Sequence, residues 1–381
     1  MQTNNIYMKA IIAAGGKGTR LASIAKNIPK ALVKIGGRPV IEHQILLLKK
    51  YGIKDISVLL GYLGDQIKDH LGDGKRFGVQ ITYSQNENPL GRTGDLKKIS
   101  SQLQEDFLFL SGDIMMDFDL KRFINFHKKK KDSITSMVVH PSDHPFDSDL
   151  VKIDENNKVI SLLLKPHKDD LIFQNLGIAS VFIFSKKVLK YIPEKKKSDF
   201  EKDVLPEILK AKESIYAYKT PEYIKDMGTP ERLKKVKNDY ILGKIRRLNL
   251  NKKRKAIFLD RDGTITKRTD LITKIEEIEL EKGASEGIKI MNDLGLKVIV
   301  ITNQPQIARG LCTEEDVHTI NTEMISKLKK QGALIDAVYF CPHHPEHHPD
   351  VPEHAKKYRI ECRCRKPCIG LIEQATKDFS I

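Results

Sequence analysis

Short apolar runs alternate with amphipathic stretches along most of this 381-residue chain, and that alternation restricts its fold more than any other feature. Met8 to Ala13, Ile56 to Leu60, Phe107 to Leu110 and Val181 to Phe184 read as strands. Val40 to Tyr51 and Leu120 to Lys130 read as helices. Strands that alternate with helices bury their faces in layers, so an α/β fold with a mostly parallel sheet is expected. The pattern fades over the polar, basic stretch Tyr240 to Lys255. A fresh strand then starts at Ala256 to Asp260, followed by a helix at Gly283 to Leu294 and a strand at Lys297 to Thr302. The expected organisation is one domain over 1–240, a linker over 241–254 and a second α/β domain over 255–381.

Lysine and arginine total 66 against 50 acidic residues, a formal net charge of +16. No zinc-finger array, helix-turn-helix or aromatic-interleaved basic strand accompanies that charge, so nucleic acid is not an expected partner. The runs Lys128 to Lys131 and Lys195 to Lys197 read as solvated faces, and a positive field also suits anionic phosphate substrates. No run of about 18 apolar residues marks a membrane span. The first residues lack the basic-then-apolar pattern of a signal peptide, so a cytoplasmic protein with no membrane partner is expected. The five cysteines fall late, at 312, 341, 362, 364 and 368. An odd, clustered set beside histidines suits metal ligation better than a disulfide framework.

Two phosphate-handling signatures stand at opposite ends of the chain. The first is Ala14-Gly15-Gly16-Lys17-Gly18-Thr19-Arg20-Leu21, followed by Pro29-Lys30-Ala31-Leu32. Glycines let backbone N–H groups approach phosphate oxygens, while Lys17, Arg20 and Lys30 add positive charge. The spacing fits neither the dinucleotide fingerprint nor the usual ATPase phosphate loop. Over residues 8–240 the chain resembles the sugar-1-phosphate nucleotidyltransferases, whose signature is GGxGTRL followed by PKxL. That likeness implies a Rossmann-like domain. It also implies Mg²⁺ held by Asp113 (in Ser111-Gly112-Asp113) and Asp226 (in Asp226-Met227-Gly228-Thr229-Pro230). It implies Lys165, Asn175 and Gly177 as sugar-side residues and Gly91, ending Pro89-Leu90-Gly91, beside the base. The implied partners are a nucleoside triphosphate and a sugar phosphate. Arg92 and Asp95 stand where relatives carry small residues, which leaves the base open. The His144 to Leu150 segment is similar to that of heptose 1-phosphate guanylyltransferases, implying GTP and D-glycero-α-D-manno-heptose 1-phosphate. A different acceptor, such as mannose 1-phosphate, and the oligomeric state stay open.

The second signature is Asp260-Arg261-Asp262-Gly263-Thr264 after an apolar strand. There Asp260 can attack phosphorus, and Asp262 can protonate the leaving oxygen and then activate water. The pattern resembles the haloacid dehalogenase superfamily of phosphatases. Thr302 and Asn303 would bind the phosphoryl group, Lys366 would neutralise it, and Asp260 and Asp262 would hold Mg²⁺. Cys341, His343, Cys362 and Cys364 form two close pairs of thiol and imidazole donors, suited to a structural Zn²⁺. The same loop occurs in a branch resembling heptose 1,7-bisphosphate 7-phosphatase. The late Gly-Asp motif that completes the superfamily's metal site does not occur after Lys366, so the domain is expected to be incomplete. The alternative expectation is a single transferase activity with a zinc-held, catalytically dead interaction module.

Overall fold

A computed structural model describes residues 8–16, 21, 27–85, 91–103, 105–142, 147–167, 175–194, 197–251, 253–267, 271–346 and 351–381. The chain divides into two compact units, Met1–Asn249 and Leu250–Ile381.

The first unit carries strands β1 (Lys9–Ala13), β2 (Asp55–Leu60), β3 (Gln80–Gln85), β4 (Phe107–Ser111), β5 (Ile114–Asp117), β6 (Ser133–His140), β7 (Leu150–Ile153), β8 (Val159–Leu163), β9 (Gly177–Phe184), β10 (Ser214–Lys219) and β11 (Tyr223–Asp226). Nine of these described strands form one sheet, with the path β8-β7-β9-β4-β1-β2-β3; β6 joins β9 and carries β10. The run β4-β1-β2-β3 is parallel. Strand β9 enters antiparallel to β4 and to β6, so the sheet is mixed rather than mostly parallel. Apolar runs alone cannot distinguish those directions, because a strand buried on both faces reads the same either way.

Alternate residues of the central strands supply two separate cores, as the two-residue period requires. Ala10, Ile12, Leu108 and Leu110 meet Ile41 and Ile45 of helix α1 (Val40–Lys50). Ile11, Phe107 and Phe109 face the opposite way, onto Phe182, Phe184 and Phe200. The Phe200 ring lies 4.6 Å from Phe184 and 4.7 Å from Phe109, centroid to centroid.

Parallel β1, β2 and β4 end side by side, with Ala13 registered against Leu59 and Ser111. Their following loops therefore open at one end of the sheet, where α/β proteins bind ligands. Helix α2 (Gly91–Lys98) lines the same end, while α3 (Leu120–Lys129) follows β5. Beyond β11, Thr229 caps α4 (Pro230–Ile241) by accepting from the Arg232 N–H at 3.3 Å, and Pro230 opens the helix.

The expected linker over 241–254 is packed structure in its first part. Helix α5 (Lys244–Arg247) buries Ile245 with Tyr223, Met227, Leu233 and Val236. Asn249 is 1% exposed and donates to Asp117 at 2.5 Å. Ile245 and Leu248 give the basic stretch an apolar edge, and burial of that edge ties 241–249 to the first unit.

The second unit is a parallel sheet in the order β12 (Ala256–Leu259), β13 (Lys297–Asn303), β14 (Ala337–Cys341). Val298 and Val300 face Ile288 of α6 (Ala284–Asp293) and Ile320, Met324 and Leu328 of α7 (Glu314–Lys330). Ile299 and Ile301 face Leu371, Ala375 and Phe379 of α8 (Gly370–Phe379). No helix among the described residues is long and apolar enough to cross a membrane.

Candidate active site

A cleft of about 1150 Å³ opens over the ends of β1, β2 and β4 in the first unit. Ala14, Gly15 and Gly16 form part of its wall. The loops after β1 and β2 touch there: a Cβ on Gly61 would lie 2.6 Å from the Gly15 carbonyl oxygen. The expected phosphate ligands Lys17, Gly18, Thr19 and Arg20 lie outside the described residues.

Asp113 and Asp226 come together through backbone pairing. Strands β5 and β11 are antiparallel with Asp226 opposite Ile114, and the Met227 N–H donates to the Asp113 carbonyl at 3.2 Å. Asp113 accepts from Ser111 Oγ at 2.8 Å, and Lys30 Nζ lies 3.3 Å from its other oxygen. Beneath this turn, the buried Gln44 amide donates to the Ser111 and Ile114 carbonyls at 2.9 and 2.8 Å. Gln44 was not picked out in the sequence. Its signal is a polar residue inside the apolar stripe of α1.

Arg232 is a second residue that sequence reading passed over. Its Nη1 lies 2.9 Å from both carboxylate oxygens of Asp226, and its Nη2 lies 2.7 Å from Asp147. Side chains in a helix's first turn lean back toward its N-terminus, which aims Arg232 over the turn after β11.

Of the residues expected to meet the sugar, Lys165 lines the cleft, with Nζ 3.2 Å from the Asp147 carbonyl and 3.7 Å from its carboxylate. Gly177 lines it as well. Asn175, expected to touch the sugar, has its carboxamide engaged elsewhere: it donates to the Ser142 carbonyl at 2.9 Å and accepts from the Ser142 N–H at 3.0 Å. That pair positions Ser142, which does line the cleft. Gly91, expected beside the base, opens α2 with φ +79°, and a Cβ there would lie 2.3 Å from the Ser198 carbonyl oxygen. Asp95 reaches the cleft wall but is largely buried. The Arg92 side chain and residues 143–146 lie outside the description.

Asp113 and Asp226 offer hard oxygen donors on facing segments of one cleft. That donor set fits a magnesium ion whose remaining ligands are phosphate oxygens and water.

In the second unit, Asp260 follows β12, and Lys366 Nζ lies 2.5 Å from its carboxylate. Asn303 binds the Lys366 backbone twice, accepting from its N–H at 2.9 Å and donating to its carbonyl at 3.2 Å. Thr302 is 1% exposed, and its hydroxyl accepts from Gln304 at 2.9 Å. The Asp262 carboxylate is fully engaged. Arg261, itself completely buried, grips it with Nε at 2.7 Å and Nη2 at 2.9 Å. Gln304 donates to it at 2.9 Å and Thr266 at 3.3 Å. Arg261 and Gln304 thus hold both oxygens of that side chain, and a cation on Asp262 would have to compete with them.

Cys341, His343, Cys362 and Cys364 converge, with all four donor atoms within 4.8 Å of one another. Sulfur–sulfur distances are 3.2 to 3.6 Å and His343 Nδ1 lies 3.1 Å from Cys364 Sγ. Tetrahedral zinc with thiolates sets such edges at about 3.8 Å, and the donor set fits that ion. Burial pushes the Cys341 thiol well up and lowers the His343 imidazole, which favours the neutral, ligating form of the ring.

Comparison with known proteins decides the family of the first unit. A family model described as nucleotidyl transferase matches residues 9–242. The chain belongs to that family. Within it, the chain is 32% identical over 224 residues to the UTP–glucose-1-phosphate uridylyltransferase of a Synechocystis strain, covering 55% of this chain and 57% of that protein. It is 29% identical over 236 residues to the mannose-1-phosphate guanylyltransferase of Mycobacterium tuberculosis, covering 61% of this chain and 65% of that one. The chain thus spans less than two thirds of those relatives' length. The crystal structure of HddC from Yersinia pseudotuberculosis complexed with GMP-PN is 28% identical, with TM-score 0.52, covering 61% of this chain and 99% of that chain. A further likeness, 42% identical over 127 residues, is to the D-glycero-α-D-manno-heptose-1,7-bisphosphate 7-phosphatase of Photorhabdus laumondii. It covers 33% of this chain and 66% of that protein.

Proposed function

We propose that the first unit transfers a nucleotidyl group, GMP from GTP, to a sugar 1-phosphate and releases pyrophosphate. The observation that carries this reading is the meeting of Asp113 and Asp226 in one cleft, with Lys30 at Asp113 and Lys165 lining the same cleft. An oxygen of the sugar 1-phosphate attacks the α-phosphorus, and the bond to the β-phosphate oxygen breaks. The chain's part is to bring two polyanions together and to hold the charge that spreads in the transition state. Lys30 holds the α-phosphate, Lys165 the sugar phosphate, and Lys17 and Arg20 the departing pyrophosphate. Magnesium held by Asp113 and Asp226 would polarise the α-phosphate.

Heptose 1-phosphate is the proposed acceptor. The GMP-PN complex of HddC and the likeness to a heptose bisphosphate phosphatase support guanine and heptose together. The second unit would then remove the 7-phosphate from heptose 1,7-bisphosphate, with Asp260 as nucleophile and Lys366 against the transferred phosphoryl group. Its product is the first unit's acceptor. A second reading, a zinc-held module without catalysis, is favoured by the grip of Arg261 and Gln304 on both oxygens of Asp262.

Phosphorus NMR of the full chain with heptose 1,7-bisphosphate, GTP and Mg²⁺ tests both. Free phosphate followed by pyrophosphate and a nucleotide-diphospho sugar supports two working units. Pyrophosphate only when heptose 1-phosphate is supplied supports the zinc-module reading. No pyrophosphate with either heptose or mannose 1-phosphate would sink the transferase.

A further inference from the structure

Asp226 lies in the cleft already gripped. Arg232 donates to both of its oxygens at 2.9 Å and, from the other arm of the guanidinium, to Asp147 at 2.7 Å. Asp147 in turn faces Lys165. The Arg232 side chain is 16% exposed, whereas Asp147 is 58% exposed, so the guanidinium is held at the buried end of the bridge. One positive group therefore joins the metal-side carboxylate to the sugar-side segment. A guanidinium that covers both oxygens of a carboxylate competes with a divalent cation for the same lone pairs and repels it. The same guanidinium is planar, permanently charged and shaped for phosphate.

We infer that Arg232 is a latch that couples acceptor binding to metal binding. This rests on the transferase reading above, in which Asp226 holds the metal and Lys165 the acceptor's phosphate. With the acceptor absent, Arg232 neutralises Asp226 and lowers its affinity for the cation. The acceptor's phosphate draws Arg232 away from Asp226 and toward the Lys165 side, and Asp226 becomes available to the metal. Phosphate and metal thus bind cooperatively, since each relieves the other's competitor. Arg232 is a positioning residue and a phosphate receptor, and the ion pair to Asp147 sets where its released arm rests.

The test is a titration of the full chain with Mn²⁺, followed by electron paramagnetic resonance, with and without inorganic phosphate as the acceptor probe. In the wild type, phosphate is expected to tighten Mn²⁺ binding several-fold. Arg232→Gln is expected to tighten Mn²⁺ binding about tenfold without phosphate, as removal of one adjacent positive charge implies, and to abolish the phosphate effect. Arg232→Lys, which keeps the charge but cannot grip both oxygens, should fall between the two. Thermal melting of both variants checks that they fold, and Arg232→Lys carries the test if Arg232→Gln does not. Unchanged Mn²⁺ binding in the folded variants, or a wild type whose Mn²⁺ affinity ignores phosphate, overturns the latch. A wild type that makes no pyrophosphate yet shows the Arg232 competition would overturn the transferase reading and leave the competition standing.

Discussion

Lys366 Nζ sits 2.5 Å from the Asp260 carboxylate, and Asn303 fixes the Lys366 backbone from both sides. This ion pair joins the end of the first strand of the second unit to the segment just before α8. If Asp260 is the phosphatase nucleophile, Asp260→Asn should abolish phosphate release from heptose 1,7-bisphosphate, and Lys366→Ala should lower it by about 10²-fold or more. A malachite-green assay reads both. Equal release from the wild type and Asp260→Asn would remove Asp260 from the mechanism.

Asp113 is expected to be indispensable in the first unit. Asp113→Asn should reduce pyrophosphate release by about 10³-fold while the melting temperature stays near that of the wild type, because a part-exposed carboxylate contributes little to folding. Coupled-enzyme detection of pyrophosphate measures it. Undiminished release would reassign the metal site.

Gln44 supports that aspartate from below. Gln44→Leu leaves the buried Ser111 and Ile114 carbonyls without their donor, a cost of about 2–4 kcal/mol. Urea unfolding should register the loss. A cleft reorganised by the same change should also show slower turnover in whatever fraction remains folded.

Gly91 tolerates no side chain. A Cβ there meets the Ser198 carbonyl oxygen at 2.3 Å, on a backbone with φ +79°. Gly91→Ala should cost about 2 kcal/mol or more, read as a lower melting temperature. Gly16→Ala, with nothing among the described residues within 4 Å of its Cβ, is the matched control and should melt close to the wild type.

The cysteines should differ in reactivity. Burial, reinforced by the Asp316 charge, pushes the Cys312 thiol up to about 11. Raised values favour the thiol, so at pH 8 only about one part in 10³ is thiolate, and reactivity grows as pH rises toward that value. Cys368 is exposed. Iodoacetamide at pH 8 followed by peptide mass spectrometry should label Cys368 long before Cys312. Early labelling of Cys341, Cys362 and Cys364 would argue against bound zinc; protection lifted by a chelator would argue for it.

Several elements were legible before any coordinates. The strands at Met8 to Ala13 and Phe107 to Leu110 appear as β1 and β4, and the helix at Gly283 to Leu294 as α6, within a residue or two. Buried strands are written as short apolar runs, and an amphipathic helix carries its own period, so both survive without tertiary information. The Cys341, His343, Cys362 and Cys364 group was legible for a similar reason: thiols and imidazoles in close pairs have few other uses. The packing of Ile245 and Leu248 against Tyr223 and Val236 was not legible, because the basic residues around them outweigh two apolar ones.

Residue type and local spacing by themselves determined the α/β class, the glycine-rich stretch after β1, the Asp-x-Asp turn after β12 and the donor set of the Cys/His group. Those features depend on neighbours within a few positions, where backbone geometry leaves little choice. Only the tertiary structure decided what those groups touch. It set β9 antiparallel to β4, placed Asp226 across a strand pair from Ile114, closed Arg261 and Gln304 on Asp262, and laid Arg232 over Asp226. The strand pairings and the Gln304 contact join segments far apart in sequence, while the grips of Arg261 on Asp262 and of Arg232 on Asp226 are local contacts whose side-chain directions depend on the packing around them. Hydrogen bonding and charge pairing act only once packing has brought the partners within a few ångströms.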